Sequence, residues 1–308
     1  MRPPVSVVVP TYNRAYTLGR ALNSILVQTD DRDDVIVVDD GSVDDTAAVV
    51  AGFGDAVRYI RQPNLGPGAA RNRGIAAARH ELITFLDSDD EWLAGKLDMQ
   101  CALMVARPDL VMSFADMRML FADGQLIDSA IGRWQGGARP WEEEMDGPVM
   151  LSDLLDWSGG RHEMKVYIGD LYGDLLERCW IHCNAAIFRR TLAGSALHFA
   201  EDFSIYEDWE CFAKTAKIGP FAFVECCVAT QIVHSQGRLT ECDDLARAIA
   251  RVAMLEQVWG TDIDFLRSHS GDYQRVIDKQ RTRKAQGLII AGRRVEARAE
   301  LLRTQGFP

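Results

Sequence analysis

Three features of the sequence predict an α/β fold: a doubly wound, mostly parallel sheet with a helical C-terminal region. Short apolar runs at residues 5–9, 35–38, 57–60 and 82–86 are separated by stretches whose apolar residues recur at helical spacing. That alternation is the mark of βαβ units. The runs carry apolar side chains at consecutive positions, as strands covered on both faces do. Three of the four end in polar groups: Pro10-Thr11, Asp39-Asp40-Gly41-Ser42 and Asp87-Ser88-Asp89-Asp90. Open α/β sheets bind ligands beyond the carboxyl ends of their strands, so this edge is a ligand crevice.

Each element has its own warrant. Residues 5–9 (VSVVV) form a β-branched strand closed by Pro10, and Leu18, Leu22, Ile25 and Leu26 mark the helix after it. The second strand, 35–38, leads to a helix through Val50 capped by Asp44 or Asp45. The third strand, 57–60, is followed by the loop 64–68 (NLGPG) and a helix over 69–78. After the fourth strand come a helix near 96–106 and a strand near 110–114. Asp123-Gly124 reads as a hairpin turn between 117–121 and 125–127. Residues 128–165 are irregular and rich in Gly, Trp and acid, which in a compact domain points to a functional or mobile connection. Residues 181–188 are expected to return to the sheet, 209–218 to be helical and 228–233 to be a strand. From Asp243 onwards the pattern is helical, and 286–305, with Gly292 at its middle, resembles a helical hairpin. The expected division is 1–115, 116–240 and a helical region at 241–308.

Composition narrows the function. The 308 residues are 47% apolar and 26% charged, as in ordinary globular proteins. No apolar run is long enough to span a membrane, and the first residues lack a signal-peptide pattern. Seven cysteines without a C-x-x-C pair suit a reducing cytoplasm better than a disulfide framework, with Cys226 and Cys227 expected to be buried. A net charge of −11 argues against nucleic-acid binding. Within 281–308, however, seven bases face two acids, a balance of +5. This stretch reads as a solvated helix face or as a surface for anionic lipid at the inner face of a membrane, or for an acidic partner.

The acidic turn is the chemical centre. Asp87, Asp89, Asp90 and Glu91 place four carboxylates within five residues at a strand end. Such charges repel unless a cation neutralises them, and carboxylate oxygens suit Mg²⁺ or Mn²⁺. Asp87 and Asp89 point the same way if strand geometry persists through them. By itself the stretch is equally an acidic turn that caps the following helix.

Four motifs in order, VSVVVPTYNR, VIVVDDGSVDDT, NLGPGAARNRGIAAA and FLDSDDEW, resemble the N-terminal half of the inverting nucleotide-sugar glycosyltransferases of family two, which have the GT-A fold. CNAAIFRR (183–190), Glu207-Asp208 and VHSQGRLT (233–240) fit the acceptor half more loosely. The resemblance implies that Pro10, Thr11, Tyr12, Arg14, Asp40, Arg71, Asp87 and Ser88 hold the nucleotide. Tyr12 would stack on the base, Asp40 would accept the N3–H of uracil, and Arg71 or Arg73 would meet the diphosphate or base. Asp89 and Asp87, joined by His234 from a closing loop, would bind the metal, with Asp90 as a competing carboxylate. Gln231 stands where relatives often carry a basic residue ahead of that His, and Arg238 would then have to supply the loop's phosphate contact. Asp208, opening a helix, would be the general base, kept ionised by the helix N-terminus.

The implied partners are a nucleotide-sugar donor, UDP above all, and a glycan or glycolipid acceptor, with a homodimer left open. Two rival readings remain, a sugar nucleotidyltransferase and a non-catalytic sugar-nucleotide-binding protein. The first normally carries a Gly-rich phosphate loop after strand one, where this chain has only Gly19, inside a helix. The second leaves Asp208 and the complete acidic cluster without a purpose.

Overall fold

A computed structural model of the chain describes residues 2–135, 141, 145–155, 164–203, 205–233 and 243–304. The first half runs β1 (Val5–Thr11), α1 (Ala15–Leu26), β2 (Asp34–Asp39), α2 (Thr46–Ala51), β3 (Arg58–Arg61), α3 (Pro67–Ala77), β4 (Leu82–Phe85), β5 (Glu91–Trp92) and α4 (Lys96–Ala106). There follow β6 (Met112–Phe121), β7 (Leu126–Ile127), α5 (Ala130–Gln135), β8 (Asp146–Met150), α6 (Leu151–Leu154), β9 (Lys165–Gly169), β10 (Ala186–Arg189), α7 (Arg190–Ala193), α8 (Glu207–Ala216) and β11 (Phe221–Val233). The helices α9 (Asp244–Val258), α10 (Ile263–Ile290) and α11 (Arg294–Leu302) complete the described chain.

The strands form one sheet in the order β3-β2-β1-β4-β10-β6-β11-β9-β8, with β5 on β11 and β7 on β6. The pairs β3-β2, β2-β1, β1-β4 and β6-β11 are parallel, whereas β10 and β9 run against their neighbours. Because β10 is antiparallel, its first residues arrive at the edge where β1, β2 and β4 end. That brings the segment around Asn184 to the ligand edge from the far half of the chain.

Alternation along the strands divides the core into two layers. Val8, Ile36, Val38, Ile83 and Phe85 join one cluster with residues of α3, α8, α9 and α10. Val7, Val9, Val35, Val37 and Leu82 join the other, with α1 and α4. Successive side chains leave a strand on opposite faces, so consecutive apolar residues supply both layers.

Several expectations shift in detail. β1 continues through Pro10, which pairs with Val38. Leu86 N–H donates to Val8 O at 3.1 Å, so even positions of β1 face β4. Pro10 is the next even position and lies beyond Phe85, the last paired residue of β4, so its missing N–H forfeits no ladder bond. The separate strands expected at 110–114 and 117–121 are one ten-residue β6, and 228–233 is the second half of β11. β11 is bulged between Val224 and Ala229, which leaves Cys226 and Cys227 half-exposed rather than buried. None of the six cysteines among the described residues is in a disulfide. Part of the irregular stretch is ordered: β8 and β9 pair at the sheet's far edge. The return of 181–188 to the sheet is shorter than expected, with strand only from Ala186 to Arg189.

Candidate active site

Two loops frame the first part of the site. Asn13 has φ +51°, its N–H donates to Ser42 Oγ (2.9 Å), and its Oδ1 accepts from Val43 N–H (2.9 Å). These bonds tie the loop after β1 to the loop after β2. Tyr12 stands 45% exposed between them, a free aromatic face at the site edge. Thr11 Oγ1 is buried with no hydrogen-bond partner among the described residues.

Asp40 is buried and already engaged. Oδ1 accepts from Gln62 Nε2 (2.8 Å) and Leu65 N–H (2.9 Å), and Oδ2 accepts from Gly66 N–H (2.8 Å). It therefore shapes the loop that starts α3, with three of its four lone-pair sites occupied. Gly66 takes φ +94° there, a conformation glycine adopts without strain.

Arg71 lies on α3 and is buried, whereas Arg73 is exposed on the same helix. The guanidinium of Arg71 spans the site: Nη2 donates to Asp87 Oδ1 (2.9 Å) and Nη1 to Glu207 Oε1 (2.8 Å). The Phe199 ring centroid is 5.3 Å from its Cζ. Its Nε is buried without a hydrogen-bond partner among the described residues. Gly74, one turn further on, permits this placement. A Cβ there would come within 2.2 Å of Val8, so only glycine lets α3 lie this close to β1.

The acidic turn follows β4. The strand ends at Phe85, and Asp90 N–H donates to Asp87 O (3.1 Å) to close a turn. Asp87 and Asp89 are thus brought together by a turn, and the strand alternation expected for them does not apply. Both are partly exposed, and Ser88 between them is buried. Arg14 Nε stands 3.4 Å from Asp89 Oδ2. Asp90 is buried, accepting from Asn184 Nδ2 (2.5 Å) and Ile232 N–H (2.8 Å). Burial first, and then the charges of Asp87 and Asp89, push its carboxyl well above the usual range. Asp90 therefore buttresses the turn, with both of its oxygens engaged.

Asn184 holds this turn and was not singled out from sequence. It is fully buried, its Oδ1 accepts from Asp87 N–H (2.8 Å), and its carbonyl accepts from Trp92 Nε1 (3.0 Å). Its position just ahead of β10 in CNAAIFRR was the available signal: a buried amide at a strand start must find partners.

Opposite the turn is the start of α8. The residue that caps the helix is Tyr206, at φ +68°, so Asp208 sits inside the first turn and is not an N-cap. Asp208 is half-buried, and its Oδ1 accepts from Trp209 N–H (2.7 Å). Burial, then the adjacent Glu207, raise its pKa to about 7 against the opposing pull of Arg71. The helix N-terminus was expected to keep it fully ionised, and desolvation outweighs that effect. Trp209 is fixed in turn: its indole donates to Leu175 O (2.8 Å), and the Arg251 guanidinium lies 3.6 Å from its ring centroid. The backbone that carries Asp208 is thereby clamped by α9.

The structure brings Arg14, Arg71, Asp87, Ser88, Asp89 and Asp208 to one edge. His234 and Arg238 lie outside the described residues. Gln231 is on β11, its Oε1 buried without a partner among the described residues. No group of three or more His, Cys, Asp or Glu side chains is arranged as a complete metal shell among the described residues. Asp87 and Asp89 nevertheless fit part of one. They are adjacent, partly exposed oxygen donors, and their mutual repulsion is what a divalent cation relieves.

Residues 6–120 match the family described as Glycosyl transferase family 2. Escherichia coli WfgD, a UDP-Glc:alpha-D-GlcNAc-diphosphoundecaprenol beta-1,3-glucosyltransferase, is 38% identical over 226 residues, 72% of this chain and 73% of that protein. The chain belongs to glycosyl transferase family 2. Among solved structures, S. aureus TarS 1-349 in complex with UDP-GlcNAc superposes with a TM-score of 0.63 at 16% identity, over 98% of this chain and 79% of that one. The mannosyltransferase PcManGT from Pyrobaculum calidifontis, in complex with GDP-Man and Mn²⁺, gives 0.56 at 18% identity over the same shares. These likenesses show the GT-A fold of this family 2 chain. Its matches to several other curated relatives span only about a fifth to a third of their lengths.

Proposed function

We propose that this family 2 chain is a metal-dependent inverting glycosyltransferase that moves a hexose from a UDP-sugar to a hydroxyl of a lipid-linked glycan. The observation that carries the reading is the pairing of two carboxylate groups across Arg71. Asp87 and Asp89 stand on the donor side, and Asp208 beside Glu207 stands on the other. Breaking a sugar–phosphate bond leaves a diphosphate with growing negative charge. A divalent cation bound by Asp87 and Asp89, with His234 completing its shell, would supply Lewis-acid stabilisation of that charge. Arg71 adds a fixed positive charge and a spare Nε–H donor, and Arg14 adds a second cation beside Asp89.

On the opposite side, Asp208 accepts the proton of the attacking hydroxyl through the carboxylate oxygen not bound to Trp209 N–H. Attack from the face away from the leaving group inverts the anomeric centre. Tyr12 offers a stacking face, and Asp40 offers its remaining lone pair to a base N–H. A UDP donor and a diphospholipid-linked acceptor are favoured because WfgD, similar over nearly three quarters of the chain, bears both in its name.

Calorimetry tests the donor half. UDP affinity is expected to fall at least 10-fold without Mn²⁺ and in Asp89→Ala. Equal affinity in all three conditions removes the metal assignment. A screen of donor hydrolysis across UDP- and GDP-sugars then names the donor, and no hydrolysis of any of them overturns the transferase reading.

A further inference from the structure

The α10–α11 hairpin ends in a turn where Gly292 takes φ +76° and Arg293 N–H reaches back to Leu288 O (2.8 Å). Around this turn Ile290 is 89% exposed and Val295 86%, and Leu302, at the far end of α11, is 75% exposed. On α11, Val295, Ala299 and Leu302 are four and three positions apart and share one face, with Arg298 and then Arg294 along one flank of it. The opposite face carries Ala297 and Leu301, which pack on Ala285, Leu288 and Leu245. The helix thus gives one apolar face to the protein and a second, arginine-flanked one to solvent.

The charges sort the same way. Arg281, Lys284, Arg293 and Arg303 are paired with Glu256, Glu296 and Glu300. Arg283, Arg294 and Arg298 are exposed and carry no ion pair among the described residues. Since 281–308 holds +5, the other 280 residues hold −16, and the hairpin is the basic end of an acidic protein.

We propose that this turn and the solvent face of α11 together form the docking surface for an anionic lipid bilayer. Aliphatic side chains exposed at 75–89% offer no groove with which to read a protein partner's shape. Aliphatic residues flanked by arginine are, instead, the composition that settles at the boundary between headgroups and acyl chains. The arginines supply attraction to anionic headgroups that salt screens. The placement is consistent with work at a surface. Leu245 of α9 packs on the hairpin core, and Arg251, under two turns further along α9, covers the Trp209 indole next to Asp208. At 1.5 Å per residue, the tip lies roughly 15 Å along the helices from that contact.

Vesicle co-sedimentation of the full chain tests the proposal and needs no turnover, so it stands or falls apart from the transferase reading. Binding is expected to vesicles of 30% phosphatidylglycerol in phosphatidylcholine at low salt, and not to phosphatidylcholine alone. It should weaken about 10-fold or more in high salt, in the pair Arg294→Glu/Arg298→Glu, and in the triple Ile290→Ser/Val295→Ser/Leu302→Ser. All the substituted side chains are exposed, so unchanged thermal melts and UDP affinity are expected alongside. No sedimentation of the parent at low salt, or binding undiminished in both variants, overturns the proposal. So does a dimer in light scattering that the triple variant disperses without lipid, since the tip would then be covered by a second copy.

Discussion

Asp208 illustrates how a residue's neighbours decide its behaviour. Its pKa of about 7 means that it is only partly ionised at neutral pH, and a base must be ionised to act. The transfer rate is therefore expected to rise with pH through about 7 and to level off above it. Glu207→Gln removes the like charge beside Asp208, so the acid limb should move to lower pH with modest change in the plateau. Asp208→Asn should keep UDP affinity and lose roughly 10²-fold or more in transfer. Near wild-type transfer in that variant would send the search for the base to Asp202, Glu207 and Glu210. Asn184→Ala tests the other side of the site. It strips a partner from Asp90 and from Asp87 N–H, and is expected to lower stability by about 1–3 kcal/mol and weaken Mn²⁺-dependent UDP binding. Unchanged denaturation midpoint and UDP affinity would show that the turn holds its shape without the amide. At this scale the carboxylates and Arg71 were legible because a strand end and a glycine loop announce them. Asn184 was not, since its partners lie 94 and 97 positions away.

Among the elements, α4 carries a buried charge. Lys96 at its start is fully enclosed, with Nζ donating to Thr84 Oγ1 (3.0 Å) above the Trp92 ring, and burial lowers its pKa from 10.5 to about 7. Between those values the folded protein holds the amine neutral, while the unfolded chain keeps its proton. The unfolded state binds more protons, so stability rises with pH from about 7 towards 10. Below pH 7 both states are protonated, and this contribution to the slope disappears. Lys96→Met is expected to flatten that rise and to raise the melting temperature at pH 7, read from melts at pH 6.5, 8 and 9.5. An unaltered pH profile would show that another group sets it. The strands were legible because consecutive β-branched residues suit a doubly covered sheet. The length of β6 and β11 was not, because their bulged pairing is settled across the sheet.

For the whole molecule, the boundary drawn at residue 241 does not separate two cores. Val252, Met254, Leu255, Trp259, Phe265, Val276 and Ile277 belong to the cluster that also holds Phe85 and Phe212. Trp259 Nε1 donates to Tyr172 O (3.1 Å), and Asp262 joins Tyr172 to Lys217. Among the described residues, the far end of α10 and α11 form a small separate cluster, joined by Leu245 of α9. A chain ended after Val233 is therefore expected to lose its near-ultraviolet circular dichroism and cooperative melt. A chain ended after Gly292 should melt within a few degrees of the parent. A cooperative melt in the shorter chain would make α9 and α10 a true appendage.

The sequence by itself determined the strands, the helices between them, and the gathering of Pro10–Arg14, Asp40 and the acidic turn on one edge. Each follows from local rules: apolar periodicity, turn residues, and crossovers that return strands β1 to β4 in the same direction. Only the tertiary structure decided that β10 enters beside β4, that Asn184 clamps the turn, and that Arg71 reaches Glu207 across 136 positions. It also decided that Asp208 is desolvated. Closing loops of that length is opposed by chain entropy and rewarded only when the whole core packs, so no short stretch of sequence encodes the pairing.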